Sequence, residues 1–109
     1  MGVMGVDDNL VREIVRRLLE VTQPDRIILF GSAATGKMSR DSDIDLLVVT
    51  PAPSHTLEEQ VKLRGCLRGL GFPFDVFLMA TEKFEESKNV FGGLAYPAHK
   101  YGRVIYEAA

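Results

Sequence analysis

Two aspartates one residue apart, Asp43 and Asp45, open the run Asp-Ile-Asp-Leu-Leu-Val-Val that ends at Val49. Side chains alternate along a β-strand, so both carboxylates leave the same face. Like charges held that close are costly unless a cation or hydrogen bonds compensate them. Hard oxygen donors in this arrangement suit Mg²⁺ or Mn²⁺ bound jointly to the phosphates of a nucleotide. An Asp-x-Asp pair by itself usually marks a solvated strand start. Here the apolar continuation from Leu46 to Val49 reads as a central strand, where paired charge needs a specific reason. Asp75 lies inside a second apolar run, Phe74 to Met79, and offers a third carboxylate if the two strands are neighbours. Three acids could then share metal ions, one on a triphosphate and one lowering the pKa of an attacking hydroxyl, with Asp75 the candidate base.

Gly31 and Ser32 directly follow the β-rich run Arg26 to Phe30, and Ala33-Ala34-Thr35-Gly36 continue with small residues. A backbone turn of that composition can come close to an anion, with the Ser32 hydroxyl as a further donor and Lys37 and Arg40 as nearby charges. Read alone, Gly-Ser after a strand is more often just a tight turn. The spacing from Gly31 to Lys37 also matches a phosphate-binding P-loop, but Met38 stands where Ser or Thr should ligate magnesium, and too few residues separate it from Asp43 for the P-loop helix. That reading is rejected.

The elements that must position these groups are legible in outline. Apolar residues at Leu10, Val11, Ile14, Val15, Leu18 and Leu19 recur with helical spacing and predict an amphipathic helix from Asp8 to Val21, with Asp7, Asp8 or Asn9 as its cap. Strands are predicted at Arg26 to Phe30, Asp43 to Val49, Phe74 to Met79 and Arg103 to Tyr106. Between the second and third, a helix with Leu57, Val61, Leu67 and Leu70 on its buried side should stop at Gly69 and Gly71. Short helices are expected at Thr81 to Ser87 and Leu94 to Tyr101. Helices and strands alternate in an α/β order with no internal repeat and no linker, so residues 1–109 are expected to form a single domain.

Composition narrows the classes. The chain has 109 residues, 46% hydrophobic and 26% charged, with a net charge of -2, which excludes disordered and fibrous proteins. A protein living on long nucleic acid usually carries a strong positive excess, so direct binding of that kind is not expected. No run is long enough for a membrane span and the N-terminus lacks signal-peptide flanks. Cys66 is the single cysteine, so an internal disulfide and a multi-thiolate zinc site are both ruled out, and a reducing cytoplasm is the expected compartment. Its spacing with Leu63, Leu67 and Leu70 marks a buried core thiol. His55 and His99 have no partner at metal-ligand spacing and read as surface residues, and Asp41 as a bystander. Ser42 shapes the turn into the strand. Arg64 and Arg68, one helical turn apart, could line a phosphate path or meet an acidic partner, but such spacing is common on a solvated helix face, the reading favoured here. Phe91, Tyr96, Tyr101 and Tyr106 are read as core or interface.

Taken together, Gly31-Ser32, the spacer, Ser42-Asp43-Ile44-Asp45-Leu46 and the later strand acid resemble the DNA polymerase β-type nucleotidyltransferase superfamily. The small size and the closing Tyr101-Gly-Arg-Val-Ile-Tyr106 segment resemble its minimal branch, the MNT domains, over nearly the whole chain. The resemblance implies an α/β (α+β) fold, a small mixed β-sheet with helices packed on one face. It implies Gly31 and Ser32 at the triphosphate of ATP or another NTP, with Lys37 beside them, and Asp43, Asp45 and Asp75 holding Mg²⁺. Family members often carry Arg where this chain has Thr35, so Lys37 is the candidate to supply that charge. Minimal nucleotidyltransferases are commonly paired with a small helical HEPN protein as antitoxin and toxin, and active versions transfer AMP from ATP to a tyrosine hydroxyl of the toxin. The implied function is therefore transfer of a nucleoside monophosphate to a partner protein's hydroxyl. The alternative is a non-catalytic antitoxin that neutralises a HEPN partner by occlusion; a stand-alone small-molecule transferase is the weaker third reading. A homo-oligomer is compatible with either of the first two.

Overall fold

The computed structural model describes residues 7–31, 34, 43–51 and 56–108. Helix α1 (Asp8–Leu19) begins where Asp7 accepts a hydrogen bond from the Leu10 amide at 2.8 Å, so the cap expected from sequence is Asp7. Arg16 and Arg17 in its last turn complement the helix dipole and both pair with Glu13. Its apolar stripe, Val11, Ile14 and Leu18, is buried. Strand β1 (Arg26–Phe30) follows, then β2 (Ile44–Thr50), helix α2 (Thr56–Cys66), β3 (Phe74–Ala80), the short helices α3 (Thr81–Ser87) and α4 (Ala95–Tyr101), and β4 (Arg103–Glu107).

The four strands form one mixed sheet in the order β3-β2-β1-β4. β1 runs antiparallel to both β2 and β4, whereas β2 and β3 are parallel, with α2 making the crossover between them. The register sets rows across the sheet. Leu29, Leu46 and Val76 form one row, and Ile28, Leu47 and Phe77 the next, on the opposite face. The first face packs on α1 and α2 through Ile14, Leu18, Leu63 and Leu67.

The second face carries more than the sequence reading expected. Helices were expected on one face only, yet Ile28, Phe30, Leu47 and Val49 are covered by Phe84 of α3 and by Ala95 and Ala98 of α4. The physical reason lies in the strands themselves. Ile27-Ile28-Leu29-Phe30 and Leu46-Leu47-Val48-Val49 are apolar at every position, so both of their faces must be shielded from water. The fold is thus α+β, with a four-stranded mixed sheet whose two longer helices lie on one side and two short ones on the other. Gly102 joins α4 to β4 in a tight corner: a Cβ there would meet Ile28 Cγ2 at 2.7 Å and the Leu29 carbonyl at 3.0 Å.

Helix α2 corrects a second expectation. Leu67 is buried as predicted and Leu63 is buried beside it, but Leu57 and Val61 are 74% and 64% exposed. The stripe that packs is Leu63, Cys66, Leu67 and Leu70, with Cys66 half-buried and its thiol donating to the Leu63 carbonyl at 3.0 Å. Burial pushes that thiol's pKa up, which suits an inert core residue. Among the aromatics, Tyr106 packs on the core as read, whereas Phe91 is 87% exposed and edge-on to Tyr96.

Phe84 is fully buried, lies under the Arg26 guanidinium at 5.7 Å and meets His99 edge-on. Phe84→Ala removes the largest group covering the second face and is expected to cost about 3–5 kcal/mol in urea unfolding. A loss under about 1 kcal/mol would mean that α3 and α4 do not share the cooperative core.

Candidate active site

All the acids singled out from the sequence that fall within the described residues meet at one end of the sheet. β1 ends there, and β2 and β3, being parallel, both begin there. Asp45 is the direct cross-strand neighbour of Asp75 on one side and of Phe30 on the other. This row lies on the same face as Leu47 and Phe77, so the Phe30–Phe77 pair, with ring centroids 5.9 Å apart, forms an apolar wall beside the carboxylates. Asp43, just ahead of β2, is exposed and shares a side-chain hydrogen bond with Asp75.

Gly31 turns the chain away from β1 with φ +73°, the left-handed region that glycine enters at least cost. A Cβ at this position would run into the Asp45 carboxylate, so the backbone here passes directly over that acid. The Ala34 amide closes the turn onto the Gly31 carbonyl at 3.1 Å. Ser32 and Lys37, the other two residues expected at the nucleotide, lie outside the described residues, as do Thr35, Gly36, Arg40, Asp41, Ser42 and His55.

Crowding among the acids perturbs Asp43 and Asp45. The hydrogen bond to Asp75 raises the Asp43 carboxyl above its ordinary pKa, helped by desolvation and by the Asp75 charge, with Arg64 opposing. Asp45 is raised by burial first and then by the charges of Asp75 and Asp43. A hydrogen bond between two carboxyls requires a proton, and a hard divalent cation is the other species that satisfies the same lone pairs. The donor set therefore fits Mg²⁺ or Mn²⁺ in kind. In the conformation seen, however, Asp43 faces Asp75, and Asp75 meets Arg64 Nη2 at 3.3 Å. Among the described residues no group of three such side chains surrounds a common point as metal ligands do.

Arg64 is a residue that the sequence reading left on the solvated surface. The chain reverses through residues 67–73, which lays α2 back along β3. Gln60 accepts a hydrogen bond from the Leu78 amide at 3.0 Å, and Arg64, one turn further along, reaches the start of the strand at Asp75. The signal in sequence was the short connection, which fixes a helix residue about ten positions upstream beside the strand's first acid. Alongside lies an open cleft of about 530 Å³, lined by Asp43, Asp75, Val61, Arg64, Arg68 and Phe72 among others.

With the fold and this geometry in hand, comparison with known proteins gives a consistent class. Residues 9–99 match the nucleotidyltransferase domain family. The chain belongs to that family. A solved structure described as a toxin-antitoxin with AMP-PNP is similar over 90% of this chain and 73% of its own, at 24% identity and a TM-score of 0.60. A Sulfolobus solfataricus protein assigned as a nucleotidyltransferase is similar over 91% of this chain and 78% of its own, at 19% identity and the same TM-score. At these identities the likeness is one of fold, and it is consistent with a domain of the minimal type. No curated protein sequence matches. Among the described residues, no helix is long and apolar enough to cross a membrane.

Two measurements check this geometry. Gly31→Ala forces a Cβ into left-handed backbone and is expected to destabilise by about 1–2 kcal/mol before the collision with Asp45 is counted. Unchanged stability would show that the turn differs from that described. The raised carboxyl pKa values of Asp43 and Asp45 mean that the folded protein binds protons more tightly than the unfolded chain. Their contribution to stability is therefore favourable at low pH and is lost as pH rises through the raised values. Asp45→Asn should accordingly raise Tm at neutral pH in a chelated buffer, with the gap closing below about pH 4, where ordinary carboxyls are protonated. A gain that is absent, or that does not vary with pH, would contradict the crowding.

Proposed function

We propose that this protein is a metal-dependent nucleotidyltransferase that moves a nucleoside monophosphate, AMP from ATP, onto a hydroxyl of a partner protein. The observation that supports the reading most directly is the Asp43, Asp45 and Asp75 cluster lying under the Gly31 turn at one end of the sheet. A nucleotidyltransferase family match gives that cluster a chemical meaning, and a toxin-antitoxin structure holding AMP-PNP is among the proteins of similar fold.

In the proposed reaction Gly31 and Ser32 orient the triphosphate, with Lys37 adding positive charge. Asp43, Asp45 and Asp75 are the residues that would hold a divalent cation. When bound, such an ion neutralises the phosphate oxygens and makes the acceptor hydroxyl easier to ionise. Asp75 accepts the acceptor's proton. The acceptor oxygen forms its bond to the α-phosphorus as the bond from that phosphorus to the bridging oxygen of the β-phosphate breaks, and pyrophosphate leaves toward Gly31. The partner fits a small helical HEPN toxin silenced by the modification, which makes this chain an antitoxin of the cytoplasm.

The contact between Arg64 and Asp75 favours one other reading, a non-catalytic antitoxin that works by occlusion, because it engages an acid that the reaction requires to be available. Substitution separates the two. Purified protein is titrated with ATP with and without Mg²⁺, and a co-expressed HEPN partner is weighed by mass spectrometry. The transferase reading expects Mg²⁺-dependent ATP binding and a nucleotide adduct on the partner, with the adduct falling at least about a hundredfold in Asp43→Asn and Asp75→Asn. A tight complex with no adduct, and neutralisation that survives both substitutions, would establish occlusion instead.

A further inference from the structure

Arg64 of α2 and Arg68 of the turn that follows it line the cleft beside the acid cluster, and their surroundings are built rather than incidental. The Arg17 guanidinium, held by Glu13 at 2.7 Å, donates to the carbonyls of Cys66 and Arg68 at 3.3 and 2.8 Å. These bonds cap the end of α2 and fix the backbone from which Arg68 projects. Among the described residues the Arg68 side chain makes no hydrogen bond or ion pair. Arg64 makes a single contact, to Asp75, at a largely exposed position.

The helix between them opens toward solvent. Gly65 sits within α2, where glycine costs about 1 kcal/mol relative to alanine, and a Cβ there would meet nothing within 4 Å. The gap it leaves is part of the cleft, which continues onto exposed Val61 and half-buried Phe72. Leu57, Val61 and Arg64 follow one another along one stripe of α2, apolar at its start and cationic at its end, and Arg68 adds a second cation in the turn beyond. The sheet orders the two sides of the cluster. Gly31 leaves from β1 on one flank of Asp45, and the cleft opens at edge strand β3 on the other.

We propose that this cleft docks the acceptor protein through a segment bearing apolar and acidic side chains, with Val61 and Phe72 taking the apolar groups and Arg64 and Arg68 the carboxylates. The inference rests on the transferase reading for its purpose, since it brings the acceptor to the Asp75 side of the cluster, opposite the nucleotide. Guanidinium groups bind carboxylates with matched geometry. A docked carboxylate on Arg64 also competes with Asp75 for its one ion pair, so arrival of the acceptor frees the acid that the reaction uses. Nucleic acid is the less suitable occupant, because tracking a phosphate backbone takes a row of several cations and the cleft is lined by two, Arg64 and Arg68.

The test uses the full chain, ¹⁵N-labelled, and three probes: a synthetic peptide with one hydroxyl residue among leucines and glutamates, the same peptide with lysines for glutamates, and a single-stranded oligonucleotide. The glutamate peptide should shift the amide resonances of Val61, Gly65, Arg68 and Phe72 and bind about tenfold more tightly than the lysine peptide, one charge-assisted contact's worth. Arg68→Lys should keep most of that preference, and Arg68→Glu should reverse it. Equal binding of the two peptides, shifts elsewhere on the surface, tighter binding of the oligonucleotide, or a preference indifferent to Arg68→Glu would each overturn the proposal. ATP and Mg²⁺ titrated into the same wild-type samples read the nucleotide site separately. Peptide preference without ATP binding supports the docking cleft and counts against the transferase reading alone.

Discussion

The structure depends on one pairing, the parallel register that sets Asp45 directly beside Asp75. Two carboxylates as lateral neighbours are a liability in a sheet whose central strands are otherwise apolar on both faces. Their position at the strand starts confines the penalty to one end, where water still reaches them. The rest of the sheet then supplies the rigidity that holds them together. The rows behind them, Ile28-Leu47-Phe77 and Leu29-Leu46-Val76, are packed against helices on opposite sides. Relieving the repulsion by slipping β3 along β2 would move Val76 off its face or expose Phe77, so packing energy opposes electrostatic relief.

How much of this could be read from the sequence follows from which constraints are local. Strand β1 and helix α3 have the bounds that the alternation and turn residues predicted, and Asp43, Asp45 and Asp75 were grouped because acids in apolar strands are physically expensive. Their lateral adjacency was a conditional inference, since nothing in the sequence states that β2 and β3 pair, or in which direction. Helices cover both faces rather than one because the strands, more than the amphipathic helices, set how many faces need cover. Four consecutive apolar residues in β1 and in β2 already required two covered faces. Leu57 and Val61 were misplaced for a different reason. α2 is apolar on more than one side, so spacing alone does not say which stripe packs, and the contacts of Leu63 and Leu67 with the sheet decide it.

Arg64 shows a limit of reading residues one at a time. On the helix it is an ordinary exposed cation, and only the antiparallel return of β3 along α2 makes it a neighbour of Asp75. Its charge partly offsets the repulsion that the acids exert on one another, as its opposing effect on Asp43 indicates. The same cation that eases the crowding also occupies Asp75. In the proposed reaction this gives the cluster a resting state, in which a guanidinium stands beside Asp75 in place of the divalent cation that the carboxylates would otherwise share.

The two flanks of the cluster are chemically unequal, and this asymmetry is what a transfer between two substrates requires. The Gly31 flank is backbone pressed close over Asp45, with no side chain to hold a ligand away. It suits phosphate, which main-chain amides and small residues can approach closely. The β3 flank is a cleft walled by side chains, where Val61 is exposed and Arg64 makes an ion pair with Asp75 at a largely exposed position. It suits a larger and more specific surface than a phosphate group. An edge strand leaves backbone groups open to pairing, and Gln60 occupies one of them by accepting from the Leu78 amide. That side chain is thus on the same helix as Arg64, one turn before it. Packing α2 against β3 therefore builds the core through Leu63, occupies an edge amide through Gln60 and sets Arg64 beside Asp75 in a single step.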